Sequence, residues 1–153
     1  MSIFNVLDIA GGAMNAQSVR LNATASNLAN AESISSSLDT TYKARRPLFC
    51  VALEEAKARQ AETGEAGDPT TGEPYGVGVG LKGVVESDAP VIMEYNPNHP
   101  MADAKGYIYR PNVNPVEELA DMISANRSYQ TAVQLAESAK KMLQQTLRLG
   151  QGQ

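Results

Sequence analysis

One cysteine and one histidine are the side chains best suited to chemistry among these 153 residues. Cys50, His99 and Asp103 could supply a nucleophile, a base and its orienter, the arrangement of a small cysteine hydrolase. Yet Cys50 sits between Phe49 and Val51 in a strand-like run, where a free cysteine usually behaves as a small hydrophobe. A single histidine and no second cysteine leave no ligand set of the zinc type. His99, between Pro97 and Pro100, reads more simply as a hydrogen-bonded turn residue. No catalytic residue, metal or cofactor is expected.

Two further patterns have the letters of a site but not its context. "GVGLKG", Gly78 to Gly83, matches the dinucleotide-binding pattern, which works only where the glycines end a strand and open a helix. Here Val84, Val85 and Pro90 continue an extended run, so a glycine-softened strand is expected. The adjacent carboxylates Glu54–Glu55 and Glu117–Glu118 would point different ways on a helix and read as solvated. A net charge of −4 and the short Arg45–Arg46 pair exclude a basic nucleic-acid stripe. No small-molecule substrate is indicated.

The elements that must position these residues are mostly helical. Hydrophobic residues make up 42% of the chain but aromatic ones only 5%, with no tryptophan. That balance suits helices packing along their lengths better than one aromatic-rich core. No apolar run approaches the roughly 18 residues that span a bilayer. The first basic residue is Arg20 and Asp8 interrupts the leading apolar stretch, so no cleaved secretory signal is expected.

From Ser2 to about Asn30, Leu7, Met14, Leu21 and Leu28 recur every seven residues, with Ile3, Ala10, Gln17 and Thr24 as companions. Such spacing keeps a narrow seam facing a partner helix. Gly11 and Gly12 fall inside it. Either the helix starts after them, or they mark a close backbone approach to a neighbour. From Pro115 to about Leu149 runs a stronger helix. Asn114 is its cap, Pro115 its first residue, and Glu117 is placed to complete a capping box. Its seam reads Leu119, Met122, Asn126, Tyr129, Val133, Ala136, Lys140, Leu143 and Leu147, and Gly150 is expected to stop it.

The middle differs. "ESISSSLDTT" is a polar loop, "YKARRPLFCVAL" a strand with Pro47 favouring an edge, and "EEAKARQ" a short helix or turn. "AETGEAGDPTTGEPYG" is linker-like. "VGVGLKGVVE" and "PVIMEY" flank "SDA" and read as a β-hairpin. Residues 95–115, "YNPNHPMADAKGYIYRPNVNP", hold four of eight prolines and three of six tyrosines. Each proline restricts the residue before it to extended conformations. Gly106 permits a reversal, and the tyrosines alternate around Ile108. The segment reads as a stiff extended connector.

The expected fold is therefore α+β. Two long terminal helices (1–32 and 115–153) form an antiparallel, coiled-coil-like pair. Between them lie a small β-rich insert (33–94) and the connector (95–114). Apolar burial is worth roughly 25 cal/mol per Å². Two long stripes beside so small an insert are thus expected to be completed by other subunits.

The motifs also carry a resemblance. "YNPNHPMADAKGYIYRPNVNPVEELADMISANRSYQ" resembles the pre-helix segment and helix start of the FlgC family of flagellar proximal-rod proteins. "RLNATASNLANAES" resembles the N-terminal signature shared by flagellar rod, hook and hook-associated proteins, and "YKARRPLF" and "GVVESDAPVIMEY" are similar to the middle of FlgC sequences. Ser33 stands where threonine is usual, keeping the hydroxyl, and Thr131–Ala132 replace a common alanine–asparagine pair.

The resemblance implies a structural, non-enzymatic subunit of the basal-body rod in the periplasm, a drive shaft carrying torque from motor to hook and filament. Export would be by the flagellar type III apparatus. Its partners would be copies of itself, other proximal and distal rod subunits, the rod-to-ring adaptor and the MS ring. Leu7, Met14, Leu21 and Leu28 would meet Leu119, Met122, Tyr129, Val133, Leu143 and Leu147 in the seams. Ser26, Asn27, Leu28, Ala29, Asn30 and Ser33 would shape the end of the first helix. Tyr95, Pro97, His99, Pro100, Gly106, Tyr107, Pro111 and Asn112 would form the connector. Another rod subunit of the same axial family, or a cytoplasmic coiled-coil adaptor, are the alternatives beside the hydrolase.

Overall fold

A computed structural model describes residues 3–51 and 78–151. The short helix expected over "EEAKARQ" and the Glu62–Pro74 loop lie outside them. The first helix, α1, spans Ile3–Asn30, and the last, α2, spans Pro115–Gln151. Between them come a 3-10 turn at Leu38–Thr40 and four strands: β1 (Arg45–Val51), β2 (Val79–Glu86), β3 (Ile92–Tyr95) and β4 (Tyr107–Arg110). Two compact units divide the chain. One comprises Met1–Ser18, Phe49–Lys82 and Asn126–Gln153, the other Val19–Leu48 and Gly83–Ala125.

In the first unit, α1 runs unbroken through Gly11 and Gly12. A Cβ on Gly11 would meet nothing, but one on Gly12 would lie 3.2 Å from the carbonyl oxygen of Val79. Of the two readings of this glycine pair, close backbone approach holds at Gly12, and the neighbour is the start of β2. The α1 residues buried here are small, Ala10 and Ala16, as are Ala132 and Ala139 on α2. Gly150 does not stop α2, which continues to Gln151. One helical glycine weakens a helix by about 1 kcal/mol without ending it.

In the second unit, Ala23, Thr24 and Asn27 are the buried residues of α1, and Glu118 and Ala125 those of α2. Arg20 Nη2 donates to Asp121 Oδ1 at 2.7 Å, joining the two helices by an ion pair. Asn114 caps α2 with its Oδ1, which accepts the Val116 amide at 3.1 Å, while its carbonyl accepts the Glu118 amide. Glu117 is exposed as expected. Glu118 is buried, a correction to the solvated face expected of this pair.

The β segments appear where expected, but their pairing differs. β2 does not turn back into β3: β1 pairs with β2, and β3 pairs antiparallel with β4. The "SDAP" link has its groups engaged elsewhere. The Ser87 amide donates to the Ala44 carbonyl, the Ala89 carbonyl accepts from Asn112, and Pro90 has no N–H to give. Pro47 sits in a two-stranded sheet, where every strand is an edge. The Tyr95–Asn114 segment is correspondingly less extended than a connector. Tyr95 closes β3, residues 96–106 reverse, and β4 returns with Tyr95 opposite Tyr107 and Ile92 opposite Arg110.

The deepest line on each helix also differs from the seam of large residues. On α2, Glu118, Ala125, Ala132 and Ala139, seven residues apart, are buried, whereas Leu119 is 50% and Leu147 59% exposed. On α1 the buried residues include the companions Ala10 and Thr24, while Leu7, Met14, Leu21 and Leu28 are half-buried. Side chains at a helix contact set how closely axes approach, and alanine adds the least thickness. Within the single chain the large residues therefore flank the buried line, which leaves them open to contacts with other molecules.

Candidate functional site

The groups that could have done chemistry are dispersed. Cys50 lies half-buried in β1. Gly80 and Gly83 lie within β2, which runs on to Glu86 with no helix opening after them. His99 Nδ1 accepts the Met101 amide at 3.1 Å, the turn role expected of it. No group of three or more metal-ligating side chains occurs among the described residues.

A polar junction forms instead where α1 hands over to β1, within the second unit. Asn27 is almost fully buried. Its Oδ1 accepts from the Arg45 amide at 2.8 Å and from the Tyr42 hydroxyl at 2.9 Å, and its Nδ2 donates to the Arg45 carbonyl at 2.9 Å. Three of the buried amide's four hydrogen-bonding positions are thereby used, which is what makes its burial tolerable. Ser26 Oγ lies 3.1 Å from the same Tyr42 hydroxyl. Asn30 Nδ2 donates to the Ser26 carbonyl and Ser33 Oγ to the Asn30 carbonyl, closing the helix end. Leu28 is half-buried and Ala29 exposed. Beneath the polar layer Ala31, Ala44 and Val113 form a small apolar cluster with Tyr42 against it.

A second asparagine grips the same strand from the C-terminal side. Asn112 Oδ1 accepts the Ala44 amide at 2.8 Å, and its Nδ2 donates to the Ala89 carbonyl at 2.8 Å. Pro111 beside it is fully buried, as is Ile108 on β4. Ser35 pairs with Tyr109 through both backbone hydrogen bonds, each 3.0 Å, so the post-helix loop is stitched to the β3–β4 hairpin.

The hairpin loop is held by Asp103. Its Oδ1 accepts the Lys105 and Tyr107 amides at 2.8 and 2.9 Å, and its Oδ2 the Tyr109 hydroxyl at 3.3 Å. The Tyr107 amide, foremost, holds this carboxyl below its ordinary pKa, against the opposing effect of desolvation; Lys105 and Tyr109 add to it. Desolvation first, then the Asp103 charge, raises the Tyr109 phenol. Gly106 takes the left-handed conformation (φ 81°), and a Cβ there would come within 2.9 Å of Tyr95 Cε2 and 3.1 Å of Pro97 Cβ. The Tyr95 and Tyr107 rings meet edge to face, 5.2 Å between centroids. Pro97 and Pro100 are exposed on the loop.

Outside these contacts the chain leaves much apolar surface in water. On the outer side of the first turns of α2, Val116 is 75%, Leu119 50% and Ile123 49% exposed. Met122, Val133 and Leu143 are half-buried, and Tyr129 is exposed.

Five participants went unread in these roles in the sequence. Tyr42, Ala44 and the Arg20–Asp121 pair carry no local signal, because their partners are distant along the chain. Asp103 did carry one: an aspartate three residues before a glycine is a common side-chain-closed turn.

Two family models match the chain. The flagella basal body rod protein model covers residues 7–32, and the C-terminal model of flagellar basal body rod FlgEFG proteins covers residues 104–149. The chain is similar from end to end to curated relatives. It is 43% identical over 151 residues to flagellar basal-body rod protein FlgC of Escherichia coli O6:H1, covering 99% of this chain and 100% of the relative. The FlgC of Salmonella typhimurium strain LT2 is 40% identical over the same shares. That of Aquifex aeolicus is 35% identical over 95% of this chain and 96% of its own. The two matched regions hold Asn27 with most of α1, and β4 with most of α2; with relatives this similar over their whole length, the chain belongs to the FlgC family of flagellar basal-body rod proteins.

Proposed function

We propose that this chain is a structural subunit of the proximal rod of the bacterial flagellar basal body, polymerising through its terminal helices into the shaft that carries torque to hook and filament. The observation that carries the reading is the end-to-end similarity to FlgC proteins, 43% identical with the whole relative covered. The apolar residues left exposed on α2 support it. Val116, Leu119, Ile123, Leu135, Met142 and Leu147 are each close to half exposed or more. Surface of that kind is stabilised by burial against neighbours, at about 25 cal/mol per Å². Two different helix faces meeting from one molecule to the next make a heterologous contact, which grows into a helical array.

In this reading the Asn27 and Asn112 clamps fix the insert to the helix end, so torque on one is passed to the other without slack. The partners are further copies of the chain, the other rod subunits, the rod-to-ring adaptor and the MS ring. The route out is the flagellar type III export apparatus. No described helix is long and apolar enough to cross a membrane. The role is mechanical, and no side-chain constellation described above offers an acid–base pair or an activated nucleophile.

The test is to replace the chromosomal copy with a tagged version, purify intact hook–basal bodies, and locate the tag by mass spectrometry and electron microscopy. Tag in the rod, with swimming restored, is the expected result. Normal rods without the tagged chain would end the proposal.

A further inference from the structure

The outer edge of β3 is left open. On β4, Tyr109 exchanges both backbone hydrogen bonds with Ser35. Tyr107 donates its amide to the Asp103 carboxylate and accepts the Asp103 amide on its carbonyl. Both residues thus turn their backbone groups away from β3. In an antiparallel pair the residue directly opposite does the same. Met93 lies opposite Tyr109 and Tyr95 opposite Tyr107, so their N–H and C=O groups point outward. None of these four groups has a partner among the described residues.

Neighbouring edges are closed. Ser35 covers β4, and on β1 Asn27 takes both backbone groups of Arg45. Two residues on, and so on that same side, Pro47 has no N–H to offer. β3 carries none of the usual guards of an edge, neither lysine nor proline nor bulge. It is also wet on both faces. Met93 is 62% and Tyr95 65% exposed, and Ile92 and Glu94 are exposed on the opposite face. A third strand is what gives so small a hairpin independent stability.

Charge narrows the kind of strand that fits. From Gly83 to Ala104 the chain carries Glu86, Asp88, Glu94 and Asp103 and no lysine or arginine. Arg45 and Arg110 approach Glu86 and Glu94 only to 3.5 Å, and Asp88 has no ion-pair partner among the described residues. Opposite charges across a strand pair stabilise it and like charges oppose it. A cationic strand therefore matches this edge, whereas a second β3 would bring further acid to it.

We propose that the outer edge of β3 is a strand-acceptor site, which takes an extended, basic segment of a neighbouring protein chain as the third strand of the β3–β4 sheet. The backbone groups of Met93 and Tyr95 supply the pairing, and the acidic flank selects the donor.

Titrating the isotope-labelled full chain with a capped heptapeptide of alternating lysine and valine tests it by nuclear magnetic resonance. The Met93 and Tyr95 amide signals should shift and gain protection from exchange, while those of Ala132 to Ala139 stay unchanged. The same peptide with glutamate for lysine should bind about tenfold more weakly or worse. Met93→Pro removes one outward N–H and should weaken binding of the lysine peptide about tenfold, with the Tyr109 amide reporting that the hairpin is intact. Where the hairpin is disturbed, the lysine peptide with methylated backbone amides takes the place of that variant. It keeps charge and side chains but cannot pair, and its binding should be lost. No shift at Met93 or Tyr95 overturns the proposal. So does equal binding of the glutamate or methylated peptide, or undiminished binding by Met93→Pro with its hairpin intact. A rod found without this chain would end the subunit reading and leave the strand-acceptor result standing.

Discussion

Asn27 and Asn112, one in the first helix and one just before the last, accept the amide hydrogens of adjacent residues, Arg45 and Ala44, each at 2.8 Å. The start of β1 is thus held between both ends of the chain by side-chain amides. Replacing Asn27 with alanine leaves the Arg45 amide and carbonyl and the Tyr42 hydroxyl without that partner. It should destabilise the chain by about 2–4 kcal/mol. Asn112→Ala strands only two groups in a more open site, at about 1–2 kcal/mol. The two should couple in a double-mutant cycle read by urea unfolding, since they share a strand. Strict additivity would show the clamps to be independent.

The Gly106 turn leaves no space for a side chain. With φ at 81° and Tyr95 Cε2 2.9 Å from the position of a Cβ, Gly106→Ala should open the β3–β4 loop. Strain of this kind amounts to about 1–3 kcal/mol. Amides of Tyr107 to Arg110 should then lose protection, while those of α2 keep theirs. Unchanged protection would count against the turn as drawn.

Asp103 ties the same loop to pH. Its carboxyl is more acidic in the folded chain than in the unfolded one, chiefly through the Tyr107 amide. The unfolded chain therefore takes up this proton first as pH falls, and its contribution to stability, present above about pH 4, is lost as pH drops through the folded value. Asp103→Asn should remove that part of the acid dependence and lower stability at neutral pH, because a neutral amide oxygen accepts the Lys105 and Tyr107 amides more weakly than the carboxylate does and its NH2 cannot accept the Tyr109 hydroxyl hydrogen. Melting temperature against pH for both proteins shows this; parallel curves would refute it.

Charge on the exposed helix face should separate assembly from folding. Leu119 is half exposed, so Leu119→Asp should shift the melting of the isolated chain little, by about 0.5 kcal/mol or less, yet abolish swimming. Leu143→Asp, half-buried, should impair both. His99→Ala removes one turn hydrogen bond and should leave swimming nearly intact, where a catalytic histidine would predict complete loss. Normal swarming in Leu119→Asp would take that residue out of the subunit contact.

The helices, the strand positions and the Asn114 cap were legible because each is written in local periodicity or in a residue and its near neighbours. The strand pairing was not. A five-residue link with turn-like letters suggested β2 with β3, whereas Ala44 and Asn112, remote in sequence, decide otherwise. The line buried within the single chain was not legible for a related reason. Periodicity weighted by size points to Leu7, Met14, Leu119 and Leu147, but closeness of approach favours Ala10, Ala125, Ala132 and Ala139. At the junction, Ser26, Asn27, Asn30 and Asn112 could be marked from their motif, while Tyr42 could be found only from the folded chain.

The touch between Gly12 and Val79 is made by main chain on the strand side, since it is the Val79 carbonyl oxygen that approaches. Val79's own side chain stands 45% exposed. The two positions should therefore drift at very different speeds. In a saturation library, position 79 would accept most of the alphabet, while position 12 would keep glycine and admit alanine only grudgingly, so one of the molecule's tightest seats is guarded from one side alone.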